Sequence, residues 1–148
     1  MRIKETRIKE YILPKKISAV SPNTERTEIL CKKEILQQNY FGDTQYCEVK
    51  GTGYIIFDFG KEYFGGVRIL LNCCSFAENL PNIRIRFGES LTECCCESGV
   101  NGAGNDHSTR DISVYMSSNS DMEWGSTGYR FVRIDFLQEG EYRLNGVY

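Results

Sequence analysis

The stretch Gly53–Gly60, GYIIFDFG, places Ile55, Phe57 and Phe59 at every second position. A period of two is that of a strand with one face turned to a core. The same period continues outward in both directions. In GVRILLNC, Val67, Ile69, Leu71 and Cys73 share a face, while Arg68 and Asn72 point away. In NIRIRFGES, Ile83, Ile85 and Phe87 point in, and Arg84 and Arg86 point out. Ile112, Val114 and Met116 align in DISVYM. GYRFVRIDFL puts Val132, Ile134 and Phe136 inward, with Phe131, Arg133 and Asp135 outward.

Turn signals separate these runs: Gly42-Asp43, Gly51-Thr52-Gly53, Gly65-Gly66, Asn79 to Asn82, and Gly125 to Gly128. The composition of Glu28–Gln38 allows a helix, but the Ile29, Cys31, Lys33, Ile35 alternation favours a strand. No segment carries a long, capped helical stripe. Roughly eight to ten strands follow, and the fold class is all-β: an antiparallel two-sheet jelly-roll sandwich.

The length of 148 residues suits one domain spanning 1–148, with 1–10 as a flexible N-terminal arm. The net charge of -2 lacks the basic excess of a nucleic-acid binder. No apolar run approaches the ~18 residues of a membrane span. The start, MRIKETRIKEYILPKKI, has no apolar secretory core. The expectation is a cytoplasmic protein that meets neither nucleic acid nor membrane. The seven cysteines, an odd count, then read as free thiols in a reducing compartment.

Ser90–Ser108 is the longest stretch without strand character, and long loops in compact domains carry function or interfaces. Cys94, Cys95 and Cys96 are adjacent, and His107 is the only histidine. Zinc sites favour spaced ligand pairs, so reduced, partly buried side chains are the better reading. Asp106, His107 and Ser108 are contiguous, and contiguous residues rarely converge as a triad. Glu89, Glu93, Glu97, Asp106 and Asp111 read as a solvated acidic surface rather than as paired glycosidase carboxylates. Asn105 and Asp106 suit turns and caps, and Arg110 can pair with Asp106 or Asp111. Neither metal nor cofactor is expected.

Five segments in order give a resemblance: YILPKKI, YIIFDFGKEYFGGVRI, IRIRFGESL, NDHSTRD and GSTGYRFVRIDFL. From Tyr11 to Leu137 the chain resembles the N-terminal region of bacterial α-L-rhamnosidase-like proteins, family 78 glycoside hydrolases. The strand ending in Asp-Phe-Gly is similar to one in galactose-binding-like jelly rolls. The resemblance implies a β-sandwich that precedes a large (α/α)6 barrel, and that barrel carries the catalytic carboxylates. Nothing in 148 residues matches the barrel, so no catalytic residue is transferred. The Cys94–Cys96 run departs from the family pattern. The implied role is a non-catalytic accessory domain, packing against the catalytic (α/α)6 domain and shaping one side of a cleft for rhamnose-containing carbohydrate. An autonomous carbohydrate-binding module is the alternative, and a thiol- or metal-dependent enzyme a third.

Sugar sites combine an aromatic platform with polar groups that satisfy hydroxyls. The carbohydrate- or interface-binding candidates are therefore Arg86, Glu89, Asn105, Asp106, His107, Arg110, Trp124 and Tyr129. For Trp124 a core or strand-edge aromatic is the better reading. For Arg84, Arg86, Arg130 and Arg133 a solvated sheet face with cross-strand ion pairs, for example to Asp135, is a better reading than a binding groove.

Overall fold

The computed structural model describes residues 8–32, 45–75, 82–97, 100 and 110–148, with the backbone alone at 73–75. Eight strands run through the described residues: β1 (Lys16–Val20), β2 (Thr24–Glu25), β3 (Cys47–Lys50), β4 (Gly53–Ser75), β5 (Ile83–Gly88), β6 (Asp111–Val114), β7 (Ser120–Phe136) and β8 (Glu141–Val147). One short helix, α1 (Leu91–Cys95), follows β5. All pairings are antiparallel, in the order β2-β3-β8-β4-β7-β5-β6, with β1 also on β4.

Two long strands make this a sandwich. The first part of β4 pairs β1 and the last part of β7, which leads to β5 and β6. The later part of β4 pairs the first part of β7 and β8, which leads to β3 and β2. The β4–β7 ribbon thus passes from one layer to the other. Its register shifts between Asp58 and Tyr63 and again between Gly65 and Val67. Gly60 supplies a φ of 88° at the bend, which a side chain would resist.

Alternation explains the core. Ile55, Phe57, Ile83, Ile85, Val132 and Ile134 from one layer join Val49, Val67, Ile69, Leu71 and Leu144 from the other in a single buried cluster. Burial of each such side chain contributes roughly 1.5–3 kcal/mol. The inward faces expected for Gly53–Gly60, Ile83–Phe87 and Val132–Phe136 are all observed. The outward face of the first layer is also covered. Ile56 and Phe131 pack with Cys94 of α1.

Three expectations are corrected. Gly65-Gly66 and Gly125–Gly128 are not turns; they lie inside β4 and β7 and face each other, with Gly65 opposite Thr127 and Phe64 opposite Gly128. These glycines allow close approach: a Cβ on Gly66 would stand 2.3 Å from the Trp124 carbonyl oxygen. Glu28–Cys31, expected in a strand, lies in a 3-10 turn, Thr27–Cys31, that buries Leu30; residues 33–38 of that expected strand lie outside the described residues. The helix α1 was not expected, although Ser90-x-x-Glu93 is a capping signature. Ser90 Oγ accepts the Glu93 amide at 3.1 Å, and the Glu93 carboxylate accepts the Glu89 amide at 2.7 Å.

Candidate functional site

The five candidate residues that are described, Arg86, Glu89, Arg110, Trp124 and Tyr129, do not form one site. Asn105, Asp106 and His107 lie outside the described residues, as does the turn at Gly42-Asp43. Arg86 is only 4% exposed. It leaves the outer face of β5 and donates through Nη2 to Asp135 at 2.9 Å and through Nη1 to Glu97 at 3.1 Å. Arg84 beside it binds Asp111 and Glu97. This is an ion-paired sheet face, roofed by α1 rather than solvated.

Glu89 and Arg110 do converge. Arg110 donates to Glu89 at 2.9 Å, to Thr127 Oγ1 at 3.1 Å and to Glu93. Asp111, one of the two partners expected for Arg110, is held by Arg84 instead. Each of the three guanidinium nitrogens of Arg110 donates within the protein, so the cluster fastens α1 to β7.

Trp124 and Tyr129 line a cleft of about 690 Å3 between β4, β7 and the segment 8–12. Trp124 sits on β7 opposite Val67 and packs partly on the core. Its indole Nε1 is buried and has no hydrogen-bond partner among the described residues. Such an orphan costs about 1–3 kcal/mol relative to a bonded group. Tyr129 is corrected. It is 3% exposed, with its ring edge-to-face against Phe59 and Phe87, and its phenol donates to the Gly66 carbonyl at 2.8 Å. Burial pushes its pKa up to about 12. It is a core ring beneath the cleft, not an exposed platform.

The cleft residues that sequence reasoning missed are Tyr11, Tyr63, Phe64, Arg68, Glu123 and Ser126. Phe64, at the β4 bend, is 79% exposed. Arg68 and Glu123 are cross-strand neighbours. Arg68 grips Asp121 with two hydrogen bonds, at 2.7 and 2.5 Å, and lays its guanidinium 4.7 Å from the centre of the Tyr11 ring. Glu123 accepts from Lys9 Nζ and from the Tyr11 phenol. Those bonds, Lys9 first, hold its carboxyl below the usual carboxylate range, and the Arg68 charge helps to hold it down. The clue was available in YFGGVR facing EWGSTGY across two strands, but only the long ribbon brings them together. The result is an aromatic-walled hollow of a size suited to a small ligand, lined in part by a tryptophan whose buried N–H has no partner among the described residues. Among the described residues no group of three or more His, Cys, Asp or Glu side chains is placed to hold a metal ion.

No protein-family model and no curated protein matches the chain. Solved structures do match. A rhamnosidase from Klebsiella oxytoca with rhamnose bound aligns with a TM-score of 0.52 and 16% identity, over 68% of this chain and 21% of that one. The match therefore spans about a fifth of that rhamnosidase's length. A Streptococcus pneumoniae fucose binding module, SpX-3, aligns with a TM-score of 0.53 and 16% identity over 89% of this chain and 88% of the module. An f-lectin (fucolectin) from striped bass serum, Morone saxatilis, gives 0.55 and 14% over 88% of this chain and 42% of the lectin. At such identities the likeness shows the fold. It is the galactose-binding-like jelly roll shared by carbohydrate-binding modules and lectins.

Proposed function

We propose that this chain is a non-catalytic accessory β-sandwich domain of an α-L-rhamnosidase-like glycoside hydrolase, and that it recognises carbohydrate in the Trp124 cleft. Its expected setting is the cytoplasm, beside a catalytic (α/α)6 domain. The observation that carries the reading is Trp124, which lines an aromatic-walled hollow of about 690 Å3 and whose buried Nε1 has no hydrogen-bond partner among the described residues. A pyranose offers what that hollow lacks: C–H faces for the rings of Tyr63 and Phe64, and a hydroxyl oxygen to accept the indole N–H. The match to one part of a rhamnosidase supports the accessory role.

The exposed Phe64 favours a second reading, in which the β4 bend is the surface that packs on the catalytic domain. Calorimetric titration of the reduced protein with L-rhamnose and L-fucose separates the two. Sugar recognition predicts saturable binding that Tyr63→Ala weakens about tenfold, close to 1.4 kcal/mol. Heatless titrations with a folded protein would leave the packing role alone.

A further inference from the structure

We propose that the segment Lys9–Tyr11 is a strap that closes the cleft over Trp124, and that Glu123 is the positioning residue that holds it shut. The proposal rests on the reading of this cleft as the binding site, and it assigns that site a gate.

The attachment of the strap is uneven. Ile12 packs on the main core, Leu13 packs on Leu70 and Tyr148, and Pro14 is buried. These three residues fix one end. The first backbone hydrogen bond from the N-terminal side to the sheet is Lys15 N to the Asp58 carbonyl at 2.8 Å. Before it, among the described residues, only side chains hold the chain. Lys9 and Tyr11 both donate to the two oxygens of one carboxylate, Glu123. The Tyr11 ring rests on Arg68, with its centre 6.4 Å from that of Tyr148. Ile8 beyond them is 96% exposed.

A segment held by a few surface side-chain contacts opens at far lower cost than the sheet beneath it. Removal of the Glu123 carboxylate cuts both clamps at once. It leaves the core intact, because Glu123 is exposed and Arg68 keeps Asp121. In this arrangement Lys9, Tyr11 and Trp124 line the same cleft, and the Trp124 N–H is buried and has no acceptor among the described residues. A ligand that passes an open strap supplies one, and a strap that shuts again retains it.

The chain contains a single tryptophan, so acrylamide quenching of its fluorescence reads the strap directly and needs no sugar. In both Glu123→Ala and Tyr11→Ala the quenching constant should rise at least about twofold while the urea midpoint stays that of the parent. Glu123→Gln, which keeps an acceptor for Tyr11 but loses the charge for Lys9, should fall between. Quenching equal to the parent in the two alanine variants overturns the proposal. So does a rise confined to Glu123→Ala that follows a lost urea midpoint. A protein that binds no sugar leaves this result standing, and an immobile strap leaves the sugar titration standing, so the two readings fail separately.

Discussion

Asp135 on β7 takes guanidinium hydrogen bonds from two arginines: Arg86 of the neighbouring strand at 2.9 Å and Arg133 of its own strand at 2.8 Å. The Arg86 side chain is 5% exposed and that of Asp135 is 12% exposed. Loss of one member of a buried pair strands the other charge, which costs more than the pair contributes. Asp135→Ala should therefore destabilise the fold by about 3 kcal/mol. An apolar double replacement, Arg86→Met with Asp135→Leu, should recover the part due to Arg86, while Arg133 still loses its partner. Urea denaturation of the three proteins checks it.

The close approach at the β4–β7 crossing gives a second expectation. A Cβ on Gly66 meets the Trp124 carbonyl oxygen at 2.3 Å, which is backbone and cannot swing aside. Gly125 has a φ of 94°, and its Cβ would lie 2.6 Å from Phe87 Cζ. Gly66→Ala and Gly125→Ala should each cost about 2 kcal/mol or more, whereas Gly65→Ala, with open space around it, should cost far less. Thermal melts of the three variants make the comparison.

Thiol reactivity should follow burial. Cys47 and Cys94 are fully buried, and burial pushes both thiols up to about 12. Almost no thiolate is then present at pH 8, and thiolate is the reactive form. Cys95 is exposed at the end of α1. Alkylation at pH 8, followed by peptide mass spectrometry, should label Cys95 first and reach Cys47 and Cys94 only as the protein unfolds.

Acid sensitivity follows from Asp58. Arg130 donates to both of its oxygens, at 2.9 and 3.0 Å, and the Gly60 amide donates at 2.7 Å. The Arg130 bond, with help from Gly60 and Lys16, holds this carboxyl below its ordinary value of 3.8. The unfolded chain therefore takes up the proton first. The stabilisation is fully present above the ordinary value and is lost as pH falls through the lower folded one. The melting temperature of the parent should drop steeply below about pH 4, and Asp58→Asn should start lower and fall less.

The sequence carried the two-layer fold because alternation is local: Ile55, Phe57 and Phe59, or Val132, Ile134 and Phe136, reveal their face without knowledge of their neighbours. What it hid is long-range. Gly65-Gly66 and Gly125 to Gly128 look like turns in isolation and become a crossing only when β4 and β7 pair. Tyr129 would face outward if the Val132 alternation continued. The register shift between Asp58 and Tyr63 turns it inward, onto Phe59 and Phe87. The cleft unites Tyr11, Tyr63 and Glu123, whose separation along the chain no local pattern bridges. An arginine face with ion pairs to Asp135 was legible in the sequence, but not the burial of Arg86, which lies under α1 and also binds Glu97.

The most direct test of the central claim uses the lone indole. A protein with one tryptophan shows one indole N–H peak in a 15N-correlated NMR spectrum, free of any assignment problem. On addition of L-rhamnose or L-fucose up to about 10 mM, the Trp124 peak should move saturably as its N–H gains an acceptor. A peak that stays fixed while sugar binds elsewhere, or while no sugar binds at all, would contradict carbohydrate recognition in this cleft.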